Sequence, residues 1–308
     1  MRDDEPLPST PPYQVGEVQG PLSACVFASP HSGRHYPPAF LARARLALQM
    51  LRRSEDSFVD ELFAHAPTAG APLIKATYPR AYLDPNRGPY ELDPSMFDRP
   101  LPAYAETASE RVAGGLGTIP RTVGAGLEIY DRPLCLDAAM ARIESIHRPY
   151  HDALCARLEQ ASARHGFAVL IDCHSMPSLA VERGPGFARP TPDIVLGNRF
   201  GGSCDPRIFR LADSLLRELG LTVAHNDPYA GGYTTRRYGQ PQAGLHALQI
   251  EIARGLYMDE MKIEKHRGFA NLARVMCHFI ERFVPAVNAL PLPTYRPRLG
   301  GMSALAAE

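Results

Sequence analysis

Net charge of either sign is missing from this chain: 33 lysines and arginines balance 33 aspartates and glutamates. A balanced chain has no general electrostatic attraction to nucleic acid or to an anionic membrane. No apolar run approaches the length of a membrane span. The opening residues, Met1-Arg2-Asp3-Asp4-Glu5-Pro6, have no apolar segment behind them and do not read as a secretory signal. The expected compartment is the cytoplasm. No CxxC pair occurs among the six cysteines at 25, 135, 155, 173, 204 and 277. That spacing speaks against a disulfide framework and for reduced thiols. Tryptophan is absent, and no internal repeat is found.

What is present is a hydrophobic fraction of 45% in 308 residues, enough for one large domain or two smaller ones. Many of the thirty prolines cluster in 6–12, 177–192 and 285–297 and mark irregular segments. Apolar runs predict strands at 23–29, 72–77, 80–84, 167–173, 193–197, 221–225 and 246–253. Helical spacing covers 39–52, 55–65, 136–164, 206–219 and 260–284. Pro149 should kink the long third helix, and Gly166 should stop it. Residues 88–118 read as an extended surface loop and 227–242 as a mobile loop. Such long loops are often functional. The alternation predicts a single α/β domain with a mixed, mainly parallel central sheet flanked by helices. A loose arm over 1–20, a main domain over 21–285 and a tail over 286–308 complete the layout.

Three stretches carry the chemistry. The run Phe167–Ile171 leads into Asp172-Cys173-His174-Ser175, and a second run, Cys25–Ser29, leads into Pro30-His31-Ser32-Gly33. Ligand sites in open α/β sheets lie beyond the carboxyl ends of strands, where these histidines stand. The third run, Leu248-Gln249-Ile250-Glu251-Ile252, holds a glutamate among apolar residues. A charge there costs several kcal/mol, roughly, unless it is paired or functional. Two strand-end histidines and a sheltered carboxylate point to a metal hydrolase. Such a site commonly takes three protein ligands and leaves a position for water, and a glutamate can take that water's proton. His31 and His174 suit the nitrogen ligands. Asp56 and Asp60, four apart, compete for the third position, with Asp56 favoured for its place at a helix start. Glu251 is the candidate base; its alternative is an ion pair with Arg254. Arg80, Asn86 and Arg87 offer forks and amides for a substrate carboxylate, although arginines are usually solvated surface groups.

Other histidines and thiols weigh less. His147 and His151 stand i, i+4 on a helix, but position 148 is arginine where an HExxH site has glutamate. His225 and His246 suit structural roles or contacts behind a metal's ligands. Cys173 points away from His174, because adjacent strand residues face opposite sides. Asp205 before Pro206 reads as a helix N-cap. The glycines of 197–202 lack a P-loop lysine, so nucleotide binding is not expected.

The ordered set PHSG (30–33), EDSFVDELF (55–63), YPRAYLDPNR (78–87), IDCHSMPS (171–178), DIVLGNRFGGSCDP (193–206), NDPYAGGYTTRRYG (226–239) and HALQIEIARGLYMDE (246–260) resembles the N-formylglutamate amidohydrolase family over about residues 23–285. That family is similar in turn to zinc carboxypeptidases and to the succinylglutamate desuccinylase and aspartoacylase group. The resemblance implies a zinc-carboxypeptidase-like, phosphorylase/hydrolase-like fold for the main domain. It implies that His31 and His174 hold Zn2+ or another divalent metal, that Glu251 is the general base and that Arg87 assists catalysis; the third ligand stays between Asp56, the favoured one, and Asp60. It further implies that Asn86 and Arg87 hold a substrate carboxylate or polarise the carbonyl, with Tyr233 closing over substrate; Arg80 and Arg199 are added as candidate substrate-binding groups. Two departures stand out. Arg34 occupies the position where carboxypeptidases place a glutamate ligand, so the acid comes from farther on. Pro85 stands where related enzymes have leucine and stiffens the entry to Asn86.

The lead reading is therefore a zinc amidohydrolase that splits an N-acyl acidic amino acid, foremost N-formylglutamate. A carboxypeptidase-like enzyme acting on a peptide or cell-wall amide is the second reading, and a metabolite-binding protein without catalysis the third. Each implies a small-molecule partner and neither nucleic acid nor membrane. The oligomeric state is left open.

Overall fold

The structure, a computed structural model, describes residues 10–124, 126–178 and 192–293. Residues 1–9 of the expected arm and most of the Pro-rich segment 177–192 and of the tail lie outside the described residues. Eleven strands are described: β1 (Tyr13–Val15), β2 (Cys25–Ser29), β3 (Leu73–Ala76), β4 (Thr122–Val123), β5 (Leu127–Glu128), β6 (Ala168–Met176), β7 (Ile194–Gly197), β8 (Val223–His225), β9 (Leu245–Ala253), β10 (Met258–Asp259) and β11 (Glu264–Lys265). Seven of them form one sheet in the order β1-β3-β2-β6-β9-β7-β8. The pairs β2–β6, β6–β9 and β7–β8 run parallel, and β7 runs antiparallel to β9. The sheet is thus mixed and mainly parallel, with helices flanking it, as the alternation of elements predicts. Its central strands β6 and β9 are nine residues each and buried throughout. Strands covered on both faces need near-continuous apolar sequence. That requirement makes the polar residues on them conspicuous.

The chain divides into two compact units. One comprises Val15–Ser29, Phe58–Ile74 and the chain from Leu154 onward. In it, the helix Gly268–Asn288 buries Leu272, Met276, Phe279, Ile280, Phe283 and Val287, a three-and-four spacing that lines one helical face. These cluster with Phe27, Val169, Ile171, Cys173, Leu248, Ile250 and Ile252 from the sheet. Burial of each large side chain contributes about 1.5–3 kcal/mol. Because side chains alternate along a strand, Asp172 and His174 on β6, and Gln249 and Glu251 on β9, face the other way. The second unit comprises Pro30–Ser57, Lys75–Ala153 and the stretch before Val15. Its core gathers Phe40, Leu51, Tyr78, Tyr82, Leu83, Leu92, Ile119 and Ile143. The Arg142 guanidinium sits 4.1 Å over the Tyr82 ring and donates to Tyr130 Oη at 3.0 Å.

Several elements differ from expectation, each for a local reason. The segment 39–52 forms two short helices, Pro38–Arg43 and Leu48–Arg52. The helix expected over 55–65 is only Val59–Leu62. Phe58, with φ 67°, lies in the left-handed region and bars an earlier start. Asp56 therefore sits in a turn and shares no helical face with Asp60. Residues 80–84 are a turn, not a strand, because the Pro79 carbonyl accepts from the Tyr82 and Leu83 N–H groups. The stretch 88–118 is not simply a surface loop: it includes the helix Glu110–Ala113, capped by Ser109, and buries Leu92 and Val112. Within 227–242, residues Tyr233–Tyr238 form a helix that buries Thr234, Thr235 and Tyr238. The long helix changes register at Ile143–His147, a π-turn in which the Arg148 N–H reaches back to Ile143 O. Pro149 follows and has no N–H of its own to continue the ladder. Gly166, at φ 79°, ends the helix Arg148–His165. The C-terminal helix starts later than expected, because β10 and β11 occupy 258–265.

Asp205 caps the helix Pro206–Glu218. Its carboxylate accepts from the Arg207 N–H at 2.8 Å and pairs with the Arg207 guanidinium at 2.8 Å. Those contacts, the Arg207 side-chain bond foremost, hold its pKa at about 2. An unfolded aspartate titrates near ~3.9. Because the folded value is lower, the stabilisation is present above about pH 4 and fades as pH falls toward the folded value. Asp205→Ala should cost about 1 kcal/mol at pH 7. Urea unfolding at pH 7 and pH 3 checks this: the gap between wild type and variant should narrow at the lower pH.

Candidate metal and catalytic site

The turn after β2 places His31, and the turn before Val59 places Asp56. Glu55 anchors that second turn, accepting from Tyr36 Oη at 2.8 Å and Ser57 Oγ at 2.7 Å. The Asp56 N–H in turn donates to His31 O at 3.0 Å, and Ser32 Oγ donates to Asp56 O at 3.1 Å. The motif glycine, Gly33, is required by close approach: a Cβ there would lie 2.0 Å from Tyr78 O. This contact lays the Tyr78–Arg87 segment against the His31 turn.

His31 lies between two buried carboxylates. Its Nε2 donates to Asp84 Oδ1 at 2.7 Å, and its Nδ1 stands 3.2 Å from Asp56 Oδ2. Asp84 also takes Arg80 Nη2 at 2.6 Å and the Asn86 N–H at 2.8 Å, with Arg87 Nη2 at 3.6 Å. Burial alone pushes the Asp84 carboxyl up, but Arg80, Arg87 and His31 outweigh it and hold it well below the usual carboxylate range. Arg87 is itself buried, and its Nε and Nη1 donate to Leu116 O and Asn86 O at 2.8 and 2.7 Å. Burial lowers its pKa, with Asp84 opposing.

On the sheet, His174 of β6 and Glu251 of β9 are register partners. The Glu251 carboxylate accepts from Gln249 Nε2 at 2.9 Å, and Gln249 Oε1 accepts from the Gly232 N–H at 3.0 Å. Gln249 thus ties the glycine-rich segment to the glutamate. Asp172, wholly buried, has Oδ1 3.0 Å from His174 Nε2, and neither of its oxygens makes a well-aligned hydrogen bond. Cys173 faces the apolar core instead; burial first, then the charge of Asp172, raises its thiol pKa well above normal.

His31, Asp56 and His174, all buried, can each offer a ligand atom within 4.8 Å of the others. The donor set fits a divalent ion. Zinc–nitrogen and zinc–oxygen bonds in tetrahedral geometry give ligand-to-ligand edges of about 3.3–3.4 Å, close to the His31–Asp56 distance. Asp84 and Asp172 stand where metal-binding histidines commonly find an outer carboxylate. Asp60 does not join the group. Arg199 is exposed, with φ 52°, and its Nη1 reaches Gly231 O at 3.5 Å. Tyr233 opens the helix Tyr233–Tyr238, and its Oη accepts from Arg237 at 2.9 Å.

Asp84, Asp172 and Gln249 escape a reading of the sequence. The i, i−2 spacing of Asp172 before His174 and of Gln249 before Glu251 is the one signal that places them on the same strand face. His147 and His151 also acquire a role that spacing alone does not disclose. Their Nε2 atoms donate to the carbonyls of Arg87 and Pro85, at 2.9 and 2.8 Å, and so bracket Asn86. The two buried rings lie 4.4 Å apart. His246 accepts from the Asp205 N–H at 3.3 Å, and burial lowers its pKa to about 4. His225 pairs with Asp213 at 2.8 Å near the surface.

Sheet and donors together define an α/β protein with a buried histidine–aspartate group suited to a metal. The family follows from comparison with known proteins: the model for N-formylglutamate amidohydrolase matches residues 23–258, and the chain belongs to that family. It is 32% identical over 238 residues to the N-formylglutamate deformylase of Pseudomonas aeruginosa, covering 76% of this chain and 82% of that protein. It is 32% identical over 208 residues to the deformylase of Pseudomonas putida, covering 67% and 71%. A crystal structure of N-formylglutamate amidohydrolase from Ralstonia eutropha JMP134 matches with TM-score 0.85 and 39% identity, over 90% of this chain and 99% of that one. The resemblance read from the motifs is therefore shown. Among the described residues, no helix is long and apolar enough to cross a membrane.

The histidine bracket generates a prediction. His147→Leu leaves the Arg87 carbonyl without this donor, and a buried unsatisfied acceptor costs about 1–3 kcal/mol. His147→Gln keeps an N–H within reach and should recover most of the loss. Urea midpoints of the two variants measure this; equal midpoints would mean the carbonyl gains nothing from the imidazole.

Proposed function

We propose that the chain is a metal-dependent amide hydrolase that cleaves an N-acyl acidic amino acid, with N-formylglutamate as lead substrate and formate and glutamate as products. Family membership and relatives named N-formylglutamate deformylase support this reading. The observation that carries its chemistry is the buried His31–Asp56–His174 group together with Glu251 beside His174 on the neighbouring strand. A zinc-class ion held there supplies Lewis acidity, which polarises an amide carbonyl and makes water acidic enough to react near neutral pH.

The protein's own groups do the rest. Asp84 fixes His31 with its Nε2–H turned outward, so that Nδ1 faces Asp56. Asp172, with Oδ1 3.0 Å from His174 Nε2, places a carboxylate beside that ring. Glu251 takes a proton from the attacking water and returns it to the leaving amine, which would otherwise depart as a poor anionic group. Gln249 holds the Glu251 carboxylate in place by donating to its Oε1. Arg80, Asn86, Arg87 and Arg199 are the groups for substrate carboxylates, since a guanidinium fork matches a carboxylate bidentately. With two of its nitrogens committed to carbonyls, Arg87 would meet a substrate carboxylate as positive charge more than as a fork, and it shapes the Asn86 turn. Tyr233, next to the segment that Gln249 holds, would close over bound substrate.

Formate release from N-formylglutamate tests the reading. Glu251→Gln should lower kcat by about 10²–10⁴ with its fold and metal content unchanged. Chelation should abolish activity and added Zn2+ restore it. A chelator-treated protein that works at full rate, or a wild type inactive on every N-acyl amino acid offered, would defeat the assignment. Asp172→Asn probes the outer contact separately: metal affinity, read by chelator competition, should fall about 10–100-fold.

A further inference from the structure

A second set of mixed donors lies where the C-terminal helix meets the segment after Leu62. Cys277 and Glu281 stand one turn apart on the helix Gly268–Asn288, a spacing that puts both side chains on one face. His65, the residue before the turn Ala66–Ala69, reaches the same face, with its Nε2 3.3 Å from Glu281 Oε1. One nitrogen, one sulfur and one oxygen thus come within 4.8 Å of one another. The His65–Glu281 distance equals the edge of about 3.3–3.4 Å expected between nitrogen and oxygen ligands of a tetrahedral zinc-class ion. The other Glu281 oxygen lies 3.3 Å from His278 Nδ1.

We infer that His65, Cys277 and Glu281 form a second divalent-metal site, separate in every residue from the His31 group. A thiolate with imidazole and carboxylate selects a borderline ion such as Zn2+, Co2+ or Cd2+ over Mg2+ or Ca2+, which prefer all-oxygen shells. His65 and Glu281 keep 29% and 48% of their side-chain surface, enough for an ion to enter and for water to complete the shell. The step balances simply: the ion bonds to the thiolate sulfur, the thiol proton goes to solvent, and no electron moves. Because the ion displaces the thiol proton, binding should strengthen as pH rises. The bound ion would fasten the Phe58–Ile74 segment to the C-terminal helix, which is a structural role and independent of the proposed catalysis.

Cobalt distinguishes the two sites. Thiolate ligation to Co2+ gives intense near-ultraviolet sulfur-to-metal absorption, and the His31 group contains no sulfur. The full-length chain titrated with Co2+ at pH 8 should develop this band to one equivalent, and Zn2+ should bleach it. Cys277→Ser, close in size, should lose the band and one equivalent of bound metal while keeping deformylase activity. His65→Ala should lose it too, and His31→Ala should retain it. A wild type without the band, or a band undiminished in Cys277→Ser, overturns the site. Neither result bears on the His31 group, whose failure would appear as lost activity and metal with the sulfur band intact.

Discussion

Everything at the candidate centre depends on how the carboxylate of Asp84 is kept charged inside the protein. An ionised carboxylate cannot be withdrawn from water without strong compensation. Four groups supply it: the His31 ring, the Arg80 and Arg87 guanidiniums and the Asn86 N–H. The bond to His31 has a consequence for function. It commits Nε2 as the proton-bearing nitrogen and leaves Nδ1 on the side of Asp56. A buried charge thereby determines which end of an imidazole is offered to a ligand. The same charge fixes the turn that carries Asn86 and Arg87, so His31 and the Asn86–Arg87 segment cannot shift independently.

The sheet imposes the second constraint. Strands β6 and β9 are buried on both faces, and alternation sends Ile171, Cys173, Ile250 and Ile252 to the helix-packed side. Polar residues are concentrated at Asp172, His174, Gln249 and Glu251 on the other side. Register pairs Asp172 with Gln249 and His174 with Glu251. Two parallel strands thus present a square of four functional groups without any loop having to place them. A slip of one residue would turn all the groups of one strand into the apolar core, so the hydrophobic packing itself protects the register of the chemistry.

The sheet, and the strand ends on which the candidate donors stand, were legible in the sequence because they rest on local signals. Apolar runs end in His31 and His174, and a lone glutamate interrupts another run. The strand period alone separates Cys173 from His174. What was not legible depends on partners remote in sequence. Asp84 lies 53 residues from the imidazole it holds, and no spacing rule reaches that far. The 55–65 stretch carries helical periodicity, yet the left-handed backbone at Phe58 delays the helix and moves Asp56 off it. Residues 80–84 are apolar enough for a strand, but Pro79 turns them, and burial is satisfied there without sheet pairing. In the last two cases a local backbone feature overrode the apolar periodicity of the stretch.

His147 and His151 show why a motif is weaker than its spacing implies. Separation by four residues guarantees that two rings share a helical face; it does not say what that face meets. Here it meets the carbonyls of Pro85 and Arg87, and each Nε2 gives its proton to one of them. A nitrogen engaged as a donor cannot also give its lone pair to a metal, so these contacts exclude ligation through Nε2. The pair acts on the centre nonetheless. By holding the carbonyls on either side of Asn86, it fixes the turn whose N–H contributes to Asp84, and through Asp84 the orientation of His31.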